Sequence, residues 1–270
     1  MIYVNGTPLN VTRFPDNTTQ VWKVTQLDIP NTNWVHIVWD FEHEAEILHI
    51  AQLKDLLDSK GFRAALRIKY LPYARQDKTI SNTATFALHT FANILNGMNF
   101  EEIIITDPHS LIAIELIKNS RAEYPVGEVM GVALEMKADL FCYPDKGAVS
   151  KYTGGDNVQN EIYDYPCTYG EKVRDQLTGN ITHYALKGDV KDKNILIVDD
   201  ICDGGMTFIL LAAELKKAGA VTVNLFVTHG LFTKGVRVLK EAGITKVFSV
   251  KGEHFHDKES GHSYRPFSKQ

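Results

Sequence analysis

Cysteine is scarce in this sequence. The chain has three, Cys142, Cys167 and Cys202, and no two stand close together. That excludes a disulfide framework and a Cys-x-x-Cys metal knuckle. A sparse, odd set of thiols fits a reducing compartment, so a cytoplasmic protein is expected. Long apolar runs are missing too. None nears the roughly 20 residues that span a bilayer, which argues against a membrane protein. The opening MIYVNGTPLN has no basic stretch followed by an apolar core, so no secretory signal is expected. Neither sign of charge prevails. A formal net charge of -4 over 270 residues argues against a general nucleic-acid or membrane-surface binder. It leaves room for a local basic pocket around a phosphorylated ligand.

What is present is the material of a globular chain: 44% of the residues are hydrophobic, enough for a sizeable core in one large domain or two ordinary ones. Apolar runs of strand length recur at 34–39, 64–71, 102–106, 140–143, 195–198, 221–227 and 246–250. Amphipathic helical patterns fall between them, at 45–57, 83–95, 111–117, 129–137, from the turn after 203 to 218, and 236–242. Short strands at 2–4 and 21–24 flank Arg13-Phe14-Pro15-Asp16-Asn17-Thr18, which reads as a hairpin turn. Such alternation is the pattern of a parallel α/β fold. Residues 118–126 read as a passage between two halves, and 251–270 as a solvated tail. Within that tail His254, His256 and His262 are a weaker candidate for a metal cluster.

Charged turns follow the strands in both halves. Residues 194–208, NILIVDDICDGGMTF, put Asp199 and Asp200 where a buried strand should end, then a Gly-rich turn that opens a helix. In open α/β sheets ligands bind beyond the carboxyl ends of the strands, and a helix start offers free N–H groups to an anion. The stretch therefore reads either as a phosphate cradle behind two carboxylates or as an ordinary strand-turn-helix. Tyr73-Ala74-Arg75-Gln76-Asp77-Lys78, Asp107-Pro108-His109 and Pro144-Asp145-Lys146-Gly147 also follow strands. Arg75 supplies a planar fork of donors suited to phosphate.

Together these segments resemble the ribose-phosphate diphosphokinase family, which makes phosphoribosyl diphosphate (PRPP). Residues 197–207 are similar to its ribose-phosphate loop, a motif shared with type I phosphoribosyltransferases. Residues 73–78 resemble its ATP-binding YARQD(R/K) segment, and Arg13-Phe14-Pro15-Asp16 its adenine segment. Asp107-Pro108-His109, Pro144-Asp145-Lys146-Gly147 and Thr228-His229-Gly230-Leu231-Phe232 match further segments in the family order. The resemblance implies two tandem type I phosphoribosyltransferase-like domains with mainly parallel sheets flanked by helices. The ATP-side domain is expected over 1–122 and the ribose-phosphate domain over 123–270. It implies Mg²⁺-dependent transfer of the β,γ-diphosphate of ATP to O1 of ribose 5-phosphate, giving PRPP and AMP, in a homodimer or larger homo-oligomer.

By the same resemblance, Phe14, Asp16, Arg75, Gln76, Asp77, Lys78 and His109 would bind ATP. Lys172, Arg174 and His109 would be catalytic, the two cations lying on a flexible loop. Asp199, Asp200, Asp203, Gly204, Gly205, Met206 and Thr207 would hold the ribose phosphate. His109 and Asp145 would lie at Mg²⁺, with Asp199 and Asp200 as further candidates. Two segments depart from the family. The usual D-T-x-G-T loop is here Asp203-Gly204-Gly205-Met206-Thr207, short of one hydroxyl. That change would suit an acceptor whose 5-phosphate is substituted, such as ADP-ribose in NAD salvage. Asn17-Thr18 replaces Gly-Glu in the adenine segment. A PRPP-consuming phosphoribosyltransferase and a silent regulatory relative are the competing readings. The 73–78 segment opposes the first, and the retained Lys172, Arg174, Arg75 and His109 oppose the second.

Overall fold

A computed structural model describes residues 1–27, 33–153, 165–174, 181–255 and 263–265. The chain divides into two compact units, Met1–Tyr124 and Pro125–Gln270. The first contains β1 (Ile2–Val4), β2 (Thr7–Pro8), β3 (Val11–Arg13), β4 (Thr19–Val21), β5 (Trp34–Trp39), α1 (Glu46–Ser59), β6 (Arg63–Ile68), α2 (Ala87–Gly97), β7 (Glu102–Thr106), α3 (Ile112–Leu116) and β8 (Ser120–Glu123). Its sheet runs β2-β1-β5-β6-β7-β8, with β5 to β8 parallel and β1 and β2 antiparallel. Ala64, Leu66, Ile68, Ile103 and Ile105 are buried, as expected where helices cover a parallel sheet. On α1 the spacing of Ile50, Leu53 and Leu57 turns one stripe into that core.

The second unit contains α4 (Val126–Glu135), β9 (Leu140–Tyr143), α5 (Lys146–Thr153), β10 (Cys167–Arg174), β11 (Ile181–Lys187), β12 (Asn194–Cys202), α6 (Met206–Lys217), β13 (Thr222–Gly230), α7 (Arg237–Glu241), β14 (Val247–Ser249), β15 (Gly252–Phe255) and β16 (Ser263–Arg265). The sheet order is β11-β10-β9-β12-β13-β14-β15-β16. Strands β10, β9, β12, β13 and β14 are parallel, and β11, β15 and β16 are antiparallel additions. This is the expected α/β class with mixed, mainly parallel sheets. Among the described residues no helix is long and apolar enough to cross a membrane.

Several elements differ from the sequence pattern. The hairpin pairs Val11–Arg13 with Thr19–Val21, while Ile2–Val4 joins the main sheet. Helix α2 begins at Ala87 rather than at 83, because Ser81 builds a local turn. Its carbonyl accepts the Ala84 N–H at 3.1 Å, and its hydroxyl accepts the Thr83 N–H at 3.4 Å. The expected inter-half passage contains β8, an edge strand with almost no apolar signature. Arg121 Nε donates to Glu102 Oε1 at 2.9 Å across it, and Arg67 pairs with Glu123.

The tail is not simply solvated. Strands β15 and β16 extend the sheet, and His254 is 2% exposed. His254 Nε2 and Ser249 Oγ are hydrogen-bonded at 2.7 Å, and the imidazole lies edge-on to Phe232 at 4.8 Å. His254 is therefore a core residue. His256 and His262 lie outside the described residues.

All three tryptophans, Trp22, Trp34 and Trp39, fall in the first unit, so their fluorescence reports its unfolding. Leu57 is fully buried there. Leu57→Ala is expected to cost about 2–5 kcal/mol and to move the fluorescence-monitored urea midpoint down. An unmoved midpoint would contradict the burial.

Candidate active site

The carboxyl edge of the second unit's sheet gathers most of the expected ribose-phosphate residues. Strand β12 runs past Asp199 and Asp200, because Ile201 and Cys202 still pair with His229 and Gly230 of β13. The carboxylates thus belong to the strand itself. The Asp200 N–H donates to Asp199 Oδ1 at 3.0 Å. Asp200 faces Lys151 of α5, with Nζ 3.7 Å from Oδ1 and side-chain exposures of 7% and 8%. Lys151 Nζ also lies 4.7 Å from the Tyr152 ring. Burial, followed by the charge of Asp200, pushes the Asp199 carboxyl well above the usual carboxylate range, against the pull of Lys151. Lys151 was not singled out from the sequence. Its one signal there is its place on the helix that follows Pro144-Asp145.

Asp145 stands just past β9, which neighbours β12 in the sheet. Its Oδ1 accepts the Ala148 N–H at 3.1 Å and so caps α5. Beyond Cys202 comes the turn. Gly205 is the N-cap of α6 at φ +79 and provides no side-chain cap. A Cβ there would lie 2.7 Å from Leu239 Cδ2, so glycine is required by backbone and by space. The Phe208 and Ile209 N–H groups both donate to the Gly205 carbonyl at 3.0 Å, while the Met206 and Thr207 N–H groups before them have no helical carbonyl to bond, the kind of helix start that can receive an anion. Met206 is exposed and Thr207 half-buried. The chain after β13 clamps this turn. Leu231 and Phe232 N–H groups donate to the Cys202 carbonyl at 2.9 and 3.0 Å, and Thr233 Oγ1 donates to Asp203 Oδ1 at 2.6 Å.

Lys172 and Arg174 lie on β10 rather than in an open loop. Strand β10 pairs with β9 up to Tyr169 opposite Tyr143, then continues to Arg174 against β11. Lys172 thus stands three residues, about 10 Å, beyond the last β9 pairing. Its backbone is on the same edge as Asp145. The side chains of both cations lie outside the described residues.

In the first unit, Arg75, Gln76, Asp77 and Lys78 follow β6, and His109 follows the adjacent β7. Ser110 Oγ donates to Asp77 Oδ2 at 2.8 Å, which joins the two segments. The Leu88 N–H donates to the Gln76 carbonyl at 3.2 Å, tying the loop to α2. Arg75, Gln76, Lys78 and His109 are exposed. Phe14 and Asp16 sit on the exposed hairpin tip. There Asp16 Oδ1 accepts the Thr18 hydroxyl at 2.7 Å and the Thr18 N–H at 3.0 Å, which hold its carboxyl below the usual range. Asn17, at φ +67, and Thr18 thus shape the turn that presents Phe14. Among the described residues no group of three or more His, Cys, Asp or Glu side chains is placed to hold a metal ion by itself.

Residues 158–260 match the family model of the phosphoribosyl transferase domain. The ribose-phosphate pyrophosphokinase of Thermococcus kodakarensis is 28% identical over 213 residues, covering 76% of this chain and 74% of that protein. That of Saccharolobus solfataricus is 26% identical over 222 residues, covering 81% and 74%. This chain is a homologue of the ribose-phosphate pyrophosphokinases. Its fold is also that of phosphoribosylpyrophosphate synthetase from Mycobacterium smegmatis. That likeness has a TM-score of 0.68 and 21% identity, over 90% of this chain and 79% of that one.

In this pyrophosphokinase homologue the Lys151–Asp200 pair should be strongly coupled. Lys151→Met leaves a buried carboxylate without that cation and should cost about 3–5 kcal/mol in urea unfolding. In the double variant with Asp200→Asn the loss should fall short of the sum of the single losses by about 1 kcal/mol or more. Additive losses would refute the coupling.

Proposed function

We propose that this chain transfers the β,γ-diphosphate of ATP to O1 of a ribose that carries phosphate at its 5-position, with ribose 5-phosphate as the acceptor, giving PRPP and AMP. One observation carries the reading. A single sheet edge presents a carboxylate pair, an uncapped helix start behind Gly205, and a strand bearing Lys172 and Arg174. Homology to enzymes named ribose-phosphate pyrophosphokinase supports it.

The reaction asks the protein for position and cationic stabilisation, because charge spreads over the transferred group as O1 attacks Pβ in line with departing AMP. Asp199 and Asp200 would hold the ribose hydroxyls and orient O1. Asp203 to Thr207 would take the 5-phosphate on backbone N–H groups and the Thr207 hydroxyl. Lys172 and Arg174 would close on the diphosphate as charge develops. Arg75, Gln76, Asp77, Lys78 and His109 would hold ATP, with Phe14 and Asp16 at adenine. The hairpin tip is exposed, so an adenine contact from a second copy in a homodimer or larger homo-oligomer is part of the proposal.

The residues fit Mg²⁺. Asp145, Asp199 and Asp200 are hard oxygen donors at the carboxyl ends of neighbouring strands, and a cation there would lower the cost of ionising Asp199 beside Asp200. Mg²⁺ is commonly bound by one or two carboxylates, with water and substrate phosphates completing the shell. When bound it would neutralise phosphate oxygens. Its preference for oxygen makes His109 a better donor to phosphate than a metal ligand.

A second acceptor reading rests on Gly204, where the family loop has a hydroxyl. The lost donor suits a substituted phosphate such as that of ADP-ribose, with the same transfer chemistry. Incubation with ATP, Mg²⁺ and each acceptor, followed by AMP and product mass, decides between them. AMP is expected with ribose 5-phosphate and should disappear with EDTA. AMP with ADP-ribose alone would overturn the first acceptor, and no AMP with either would sink the proposal. Lys172→Ala should lower kcat about 100-fold or more while ATP binding stays intact; unchanged turnover would remove Lys172 from its role.

A further inference from the structure

Gly204 has no side chain, but the space beside it is not empty. A Cβ built on Gly204 would lie 3.4 Å from Lys234 Cε, 3.5 Å from Cδ and 3.8 Å from Cγ. The stem of Lys234 therefore lies along the turn between β12 and α6, where a side chain at 204 would have to pack. Its backbone is held in that place. The preceding Thr233 donates from its N–H to the Asp203 carbonyl at 3.2 Å and from its hydroxyl to the Asp203 carboxylate at 2.6 Å. The following Gly235, at φ +73, donates its N–H to the Phe232 carbonyl at 2.7 Å.

The ammonium is one bond past Cε, so it stands within about 5 Å of the Gly204 Cβ position. Lys234 is exposed, and none of the described acidic residues forms an ion pair with it. An exposed full positive charge thus stands beside the turn that leads into α6. The two features reinforce one another for an anion, and they arise from different segments, one after β12 and one after β13.

We propose that Lys234 is a specificity-determining residue for the acceptor: its ammonium binds the phosphate carried on the ribose 5-position, in the place left by the missing side chain at 204. The inference rests on the transfer reading above and names the group that recognises its acceptor. The hydroxyl absent from this turn is then replaced by a cation. Lysine suits the task because its ammonium is a point charge on a flexible stem. It can meet a terminal phosphate, as in ribose 5-phosphate, or the second phosphate of a 5-diphosphate ester, as in ADP-ribose.

Lys234→Met keeps the stem and removes only the charge. The test measures the KM for ATP and for each acceptor, together with calorimetric Kd values for ribose 5-phosphate and ADP-ribose without ATP. The Met variant is expected to raise the acceptor KM and Kd about tenfold. Its ATP KM and melting temperature should stay unchanged, and Lys234→Arg should recover most of the loss. A loss confined to ribose 5-phosphate assigns the terminal phosphate; one confined to ADP-ribose assigns the second. Unchanged acceptor KM and Kd in the Met variant overturn the proposal, even if the wild type releases AMP. Wild-type protein that binds ribose 5-phosphate but releases no AMP defeats the transfer reading alone, and the Kd comparison still judges Lys234. Wild type that binds neither acceptor overturns both.

Discussion

The parallel ladder formed by β9, β12 and β13 sets where the charged groups of the second unit stand. Leu140 opposite Ile195 and Val223 opposite Ile195 align three strands in one register. Their carboxyl ends then carry Asp199 and Asp200 on β12 and lead into Pro144-Asp145, Asp203 and the 231–234 segment. A slip of one residue would reverse every side chain's face, those of Asp199 and Asp200 included. Apolar burial of Ile195, Ile197, Val223 and Leu225 on one face and of Leu196, Val198 and Phe226 on the other holds that register. The site is in this sense a by-product of a well-specified core.

That core also sets the electrostatics. Two consecutive carboxylates near the end of a buried strand are costly, since each raises the free energy of ionising the other. The fold answers with Lys151, brought from α5 to the side of Asp200. Lys151 reduces that cost without cancelling it, so burial and the charge of Asp200 still bias Asp199 toward its neutral form. Asp145 caps the helix that carries Lys151, which fixes where that helix begins.

The turn between β12 and α6 is held from two sides. Gly205 must be glycine, because its φ is left-handed and Leu239 fills the space where a side chain would go. Gly204 is under no such backbone demand; its neighbour is the movable stem of Lys234. The two glycines look alike in the sequence and have different causes. In the first unit, the Asp77–Ser110 bond likewise joins two segments that are 33 residues apart in the chain.

Much of this was legible in the sequence by itself. Periodicity marked the alternating strands and helices, and the charged turns marked the carboxyl ends of the strands. Local chemistry was enough for these, because buried strands need apolar runs and turns need polar or glycine residues. The missed parts lacked a local signal. Strand β8 is polar because it lies at an edge and pairs through charges, and the start of α2 was lost to a serine turn. His254 looked like a tail residue, yet it is core because β15 folds back onto β14. Lys151 and Lys234 are ordinary lysines in sequence. Only the placing of α5 beside β9, and of the 231–235 segment over the turn between β12 and α6, sets them beside Asp200 and Gly204. Pairing between distant segments is written in no single stretch of residues, so the tertiary structure alone could decide which charges meet.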